Sequence, residues 1–492
     1  MSLNLDFTLS VAEWLLDLGD EQLSRGEPAR ALECHRLAAR TLATQNRDLS
    51  FPRLEASLQR IAALLPRRAG ALRASGRREA WLHVLNKAFP HGGHTAMATR
   101  WITNDRSDRT HNVALLSQRM ETPEKLRAAI SARGGSIHVV DPDRSLLDRA
   151  DWLRSLAYET ATHVVLHVGA DDVIASTAFG VAGGPPVLLI NHAAHQFWVG
   201  TSTTDLVVNC RGSELEESWT LTHRGAVRCA TVPIPLDPPE SETSASQPSV
   251  PSRAAARRAL GIPEHALVIV TTGDSFKYTP ALGLDFLSTL QKVLSQLPDA
   301  HLLAIGPEED SRWKEARERS GSRIRTIGRQ PSPLPFYAIA DLYIEGFPFG
   351  STTALLEAGI CGLPVILAPV ECPPPYGSDG IALDTVLHRP CSVEEYAQMI
   401  VRLGTHAAER HRIGARLAAS IRRHHTGTGW QEHLEAAVRR LPPEHATVEP
   451  RSGIRTPQAV HEYWTTFRDL CLPHDSSSRL LDRAIAELLA AG

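Results

Sequence analysis

Residues 341–367, DLYIEGFPFGSTTALLEAGICGLPVIL, constrain the fold more tightly than any other stretch of the chain. Leu342, Tyr343 and Ile344 form an apolar run short enough for a buried strand. A loop with Gly346, Pro348 and Gly350 follows, and Ser351, Thr352 and Thr353 stand where a helix begins. Gly362 and Pro364 end that helix, and Val365-Ile366-Leu367 open the next strand. Strand, loop, helix and strand in immediate succession build a parallel sheet. A helix that starts with small hydroxyl residues offers N–H groups and a positive dipole end, so the stretch predicts a phosphate site.

The same alternation runs through most of the chain. Strands are expected at 81–84, 113–116, 137–140, 163–168, 187–190, 206–209 and 227–232, with helical spacing over 122–133 and 144–160. Pro, Ser and Glu then dominate 233–253 and no apolar face survives, as in an interdomain linker. The alternation restarts with strands at 267–271, 301–305 and 324–327, and helices at 281–296, 309–320 and 334–340. Helices are expected again at 393–403, 407–424, 456–470 and 478–491. Before the first strand, 1–67 read as helices broken by Arg25-Gly26-Glu27-Pro28, like one tetratricopeptide-type unit. One such unit cannot stack on itself, so it predicts a cap on the next domain. The Arg/Gly-rich 67–78 reads as a junction. The expected division is a helical cap (1–70), an α/β domain (79–235), a linker (236–254), a second α/β domain (255–427) and closing helices (428–492). Two α/β halves on a linker predict a ligand cleft between them.

Composition excludes several function classes. A net charge of −3 gives no basic footprint for nucleic acid. No apolar run is long enough to span a bilayer. The seven cysteines have no CxxC pair or regular spacing, which argues against zinc and a disulfide framework. The first residues lack the basic-then-apolar pattern of a secretion signal, so a cytoplasmic protein is expected.

Several residues suit anion chemistry. Gly273 follows a strand and permits close backbone approach. Lys277 closes the same loop, where a point charge would neutralise a diphosphate. Gly350, Ser351, Thr352 and Thr353 would hold phosphate oxygens, although Ser and Thr are also ordinary helix caps. Glu357, one turn further, would accept two ribose hydroxyls. Arg329 is a weaker second cation, and Phe336 and Tyr337 serve packing. In the first half, His91-Gly92-Gly93-His94-Thr95 turns into a helix, and His163, His167, His192 and His195 form a second group near strand ends. A neutral imidazole is a suitable general base. His94 or His192 would meet the acceptor, with Asp171 and Asp172 as competitors. The histidines lack metal-ligand spacing, so no metal is expected.

These residues resemble the GT-B glycosyltransferases. Glu357-Ala358 through Gly362-x-Pro364-Val365 is similar to the family 4 signature E-A-x-x-x-G-x-P-V, and Glu345-Gly346-Phe347 to the start of its paired-glutamate motif. Pro348 through Thr353 lengthen the gap between the two glutamates, which leaves Glu345 out of the expected site. Phe347-Pro348-Phe349-Gly350-Ser351-Thr352-Thr353 is more similar to the F-P-x-x-G-x-T-T loop of O-GlcNAc transferase and its bacterial relatives, and Phe276-Lys277-Tyr278-Thr279-Pro280 to their lysine loop. Pro90-x-Gly92-Gly93-His94 matches the fold loosely. The resemblance implies two Rossmann-like domains and a metal-independent transfer from a nucleotide-diphosphate sugar, such as a UDP sugar, with no further cofactor. The expected partners are that donor and an acceptor protein, glycan or small molecule, with a homodimer as the assembly to test for. The rival readings are a nucleotide-sugar 2-epimerase or phosphorylase of the same fold, and a non-catalytic nucleotide-sugar-binding scaffold.

Overall fold

The computed structural model describes residues 5–45, 48–68, 79–90, 92–237 and 252–471. Most of the 67–78 junction, most of the 236–254 linker, His91 and the helix expected at 478–491 lie outside those residues. The chain forms two compact units, one of 1–235 with 430–492 and one of 236–429.

The first unit opens with α1 (Leu5–Ser24), α2 (Pro28–Gln45) and α3 (Pro52–Ala62). Leu15, Leu16, Leu32, Leu54, Leu58 and Ile61 are buried in the same core as the strand residues Leu82, Val84 and Leu166. The helices are therefore a cap on the α/β core. Each fully buried leucine contributes about 1.5–3 kcal/mol to that docking and to the fold. A buried carboxylate locks the join. Glu55 accepts from the backbone N–H groups of Gly200 (2.6 Å) and Ser202 (3.2 Å) and from the Ser202 hydroxyl (2.5 Å). Without those donors the buried charge would cost several kcal/mol.

Seven strands follow: β1 (Ala80–Leu85), β2 (Thr110–Leu115), β3 (Ile137–Val139), β4 (His163–His167), β5 (Val187–Ile190), β6 (Leu206–Asn209) and β7 (Cys229–Thr231). Their order is β3-β2-β1-β4-β5-β6-β7, and every pairing is parallel. Chain order reverses between β1 and β4, which makes the crevice at their C-terminal ends the ligand position of such sheets. Trp430, Leu434 and Ala437 are buried among Trp81, Trp101, Val165 and Leu188, so the chain returns to this sheet near its end.

The second unit holds β8 (Leu267–Thr272), β9 (Ala300–Ile305), β10 (Ile324–Gly328), β11 (Leu342–Ile344) and β12 (Val365–Ile366), in the order β10-β9-β8-β11-β12. All are parallel, and the order reverses between β8 and β11. The helix expected from 281 starts only at Phe286. Asp285 caps it by accepting from the Ser288 N–H (3.1 Å), while Ala281 and Leu284 bridge to each other in a tight turn.

Candidate functional site

The donor-side residues named from sequence gather at the β8/β11 switch point. The loop after β8 carries Gly273 and Lys277, and the loop after β11 carries Gly350 and Ser351. Lys277 Nζ donates to the Gly350 carbonyl (2.7 Å) and to Ser351 Oγ (2.9 Å). A side chain at Gly273 would crowd this junction. A Cβ there would lie 3.0 Å from Ser351 Oγ and 3.2 Å from Lys277 Cδ.

Ser351 is the N-cap of the helix Thr352–Ile360, yet its side chain makes no cap hydrogen bond. Its oxygen accepts a hydrogen bond from the lysine ammonium instead, and the helix end has no side-chain cap. An ammonium, a hydroxyl and a helix N-terminus thus converge where β8 and β11 end, an arrangement suited to a diphosphate. Thr352 is half-buried and shares a 2.9 Å hydrogen bond with the Ser378 hydroxyl. Thr353 is exposed, and Glu357 lies half-buried one turn on.

Glu345 has a different place. It is fully buried and accepts from the backbone N–H groups of Ala368 and Ser378 (2.9 Å each) and from the Ser378 hydroxyl (2.5 Å). Burial pushes its carboxyl above the ordinary value, against those hydrogen bonds. A Cβ on Gly350 would come within 2.0 Å of Glu345 Oε1, so glycine is required for the carboxylate to sit under the loop. Glu345 is a brace that fixes the candidate phosphate loop from beneath, through Ser378 to Thr352. Sequence reading missed Ser378, which lies in the Pro-rich loop with no motif to mark it. It also missed how the Tyr337 hydroxyl joins Thr272 (3.1 Å) at the end of β8 to the Ala354 carbonyl (3.2 Å) of the helix. Arg329 pairs with Asp274 at an exposed position (2.9 Å).

The acceptor-side candidates belong to the first unit and also sit at its switch point. His94 is the second residue of α4 (Gly93–Asn104), just after β1, and His192 follows β5. Their rings stack with centroids 4.1 Å apart. Burial holds both below the ordinary imidazole value, His192 well below, so both are neutral near pH 7. His167, the last residue of β4, lies 3.3 Å from His192 (Nδ1 to Nε2), and its carbonyl accepts from His94 Nδ1 (3.1 Å).

The remaining histidines do not join them. His163 starts β4, at the opposite end of the strand from the site, and packs on Trp81 (5.0 Å). His195 packs on Trp464 and Phe467. The expected set of four histidines at strand C-termini is therefore reduced to His167 and His192. Asp172 is a helix cap that accepts from the Ala175 N–H (2.7 Å), and burial pushes its carboxyl up to about 6. Among the described residues, His388, Cys391 and Glu395 bring three metal-capable atoms within 4.8 Å of one another. Their own hydrogen bonds already account for the cluster, and Glu395 raises the Cys391 thiol.

Comparison with known proteins places this geometry. Residues 267–406 match the family model of Glycosyl transferases group 1. The chain is similar to an O-GlcNAc transferase of Thermobaculum terrenum, at 16% identity and a TM-score of 0.52 over 87% of this chain and 84% of that one. It is also similar to HepE of Anabaena, solved with UDP and glucose, at 15% identity and a TM-score of 0.52 over 74% of this chain and 100% of that one. A Rickettsia africae glycosyltransferase aligns with a TM-score of 0.54 at 14% identity, over 74% and 99% of the two chains. No curated protein sequence matches. The fold is the GT-B fold of glycosyltransferases, and the match to the group 1 glycosyltransferase model lies within the second unit.

Proposed function

We propose that this chain transfers a hexosyl or N-acetylhexosaminyl group from a nucleoside-diphosphate sugar to the hydroxyl or amide of a protein, glycan or small molecule. One observation carries the reading. Lys277 Nζ, Ser351 Oγ and the N-terminus of the helix Thr352–Ile360 converge at the switch point of the sheet whose residues match the group 1 glycosyltransferase model. The donor's diphosphate would lie on that helix end, with Lys277, Thr352 and Thr353 supplying positive charge and donors as the sugar leaves. Glu357 would take the ribose hydroxyls. Because the lysine and the helix dipole supply the neutralising charge, the step needs no metal. Recognition of UDP is supported by the similarity to HepE, which was solved with UDP and glucose.

The test is a panel of nucleotide sugars incubated with purified protein and candidate acceptors, read as nucleoside-diphosphate release. Acceptor-dependent release is expected, and its loss in a Lys277→Ala, Thr353→Ala double variant. Full activity of that variant would refute the donor site. Release that ignores the acceptor would favour an epimerase or hydrolase, and tight binding without turnover a non-catalytic role.

A further inference from the structure

A line of histidines crosses the first sheet. His111 on β2, His83 on β1 and His167 on β4 occupy three adjacent strands. Trp81 is the register partner of His111, and Leu85 is that of His167. Each step across the sheet thus advances two residues toward the strand ends, which keeps all three side chains on one face. The contacts are continuous. His111 Nε2 lies 3.2 Å from Asp105 Oδ2, His83 Nε2 lies 2.9 Å from His111 Nδ1, and His167 Nε2 lies 3.1 Å from His83 Nδ1. His192 Nε2 extends the line to His167 Nδ1 at 3.3 Å. Asp105, His111, His83 and His167 are fully buried.

Elementary hydrogen-bond chemistry gives this line a direction. An ionised carboxylate only accepts, and a neutral imidazole has one N–H and one lone pair. Burial opposes the charge on Asp105, but hydrogen bonds from His111 and Ser107 hold its carboxyl below the ordinary value. Burial keeps the four rings neutral. Asp105 therefore takes the Nε2–H of His111, whose Nδ1 takes the Nε2–H of His83. The same handover repeats to His167 and to His192. One carboxylate fixes four tautomers, and the last ring is left with its lone pair on Nδ1. The loop bearing His192 is itself held in place. The buried guanidinium of Arg224 donates to the carbonyls of Ala193 (3.0 Å), Ala194 (2.9 Å) and Gln196 (2.8 Å).

We propose that Asp105, His111, His83 and His167 are positioning residues that fix the tautomer of His192, so that its Nδ1 takes the acceptor's proton during transfer. This rests on the glycosyl-transfer reading above. In that step the acceptor oxygen bonds to the anomeric carbon and the bond from that carbon to the diphosphate oxygen breaks. The electron pair leaves on the diphosphate, and the acceptor proton ends on His192 Nδ1. His94 stacks on the His192 ring, and its own N–H is committed to the His167 carbonyl.

Asp105→Asn gives a sharp test because the structure dictates how the amide must sit. The Ser107 backbone N–H donates to Asp105 Oδ1 (2.9 Å), so the amide oxygen belongs there. The amide nitrogen then faces His111 Nε2 and donates to it. Arg109 Nη1 gives up its 3.4 Å contact with Oδ2 but retains Glu79 (2.6 Å) and Glu435 (2.7 Å). Every handover reverses, and His192 acquires an Nδ1–H.

The measurement is long-range ¹H–¹⁵N correlation NMR on the full chain with ¹⁵N-histidine, with His192 assigned from a His192→Gln variant. The four rings are expected as neutral Nε2–H tautomers in the parent and as Nδ1–H tautomers in Asp105→Asn. Turnover with a UDP sugar should drop about 100-fold or more, the scale of a lost general base. UDP affinity should stay constant, since the donor residues lie in the other unit. An Nδ1–H tautomer of His192 in the parent overturns the proposal without any variant, so a misfolded Asp105→Asn cannot protect it. Unreversed tautomers, or reversed tautomers with undiminished turnover, overturn it as well. Should no nucleotide sugar turn over in the parent, the transfer reading fails on its own, while the spectrum still decides the direction of the line.

Discussion

Removing the Lys277 ammonium separates function from stability at one atom. On the proposed function, Lys277→Ala takes away a positive charge aimed at the diphosphate's binding position. At about 4 Å and an effective dielectric constant of about 20, a unit charge contributes roughly 4 kcal/mol per unit of opposing charge. Losing one preorganised donor from an anionic transition state costs about 2.7–4 kcal/mol, or 100- to 1000-fold in rate. Stability should respond far less. The hydrogen bonds to the Gly350 carbonyl and to Ser351 Oγ disappear, at a half-exposed site. The released Ser351 then stands at an N-cap it does not serve in the parent, and a serine cap returns about 1 kcal/mol. The net change in unfolding free energy should be about 1 kcal/mol or less. Turnover with a UDP sugar, calorimetric titration with UDP and urea unfolding, run on the same preparation, measure the rate, the affinity and the stability. UDP affinity within threefold of the parent would falsify the placement of the diphosphate. A stability loss of several kcal/mol would show that Lys277 is structural.

Three other changes probe the supports. Gly350→Ala drives a Cβ into the Glu345 carboxylate, which should loosen the phosphate loop and weaken UDP binding at least tenfold, as titration would show. Glu55→Ala leaves the Gly200 and Ser202 donors buried and unpaired, at a cost of about 3 kcal/mol in urea unfolding with UDP affinity unchanged. Asp172 has a folded pKa of about 6 against 3.8 for a free aspartate, so the folded state binds its proton more tightly and stability falls as pH rises between those values. Asp172→Asn keeps the cap and should flatten that slope, removing about 2 kcal/mol of pH dependence between pH 4 and 6 in denaturation curves.

The parts of this protein that were legible in its sequence are those governed by local rules. Apolar runs alternating with helical spacing gave both parallel sheets, because strand and helix periods are properties of the neighbouring residues. The helix start at Ser351 to Thr353 was legible for the same reason, since small hydroxyl residues ahead of an apolar helical run are a local signal. Glu345 shows where that logic stops. The spacing of its motif left it out of the expected site but gave it no other role, because its burial and its partners at 368 and 378 depend on a loop more than twenty residues away. Gly350, named as a donor residue, turns out to make room for that brace. The histidine line marks a similar boundary. His83 and His111 each sit inside an apolar strand, which is visible in WLHVL and THNVAL. What joins them is the sheet register, where a two-residue advance per strand brings ring to ring. A histidine inside each of three apolar strands is a signal a sequence carries, but whether the rings form a line or scatter depends on strand order. Here the order places β1 between β2 and β4, which makes His83 the centre of the relay. The C-terminal advance at each step explains why the line runs toward the switch-point crevice and ends at the stacked pair His94 and His192.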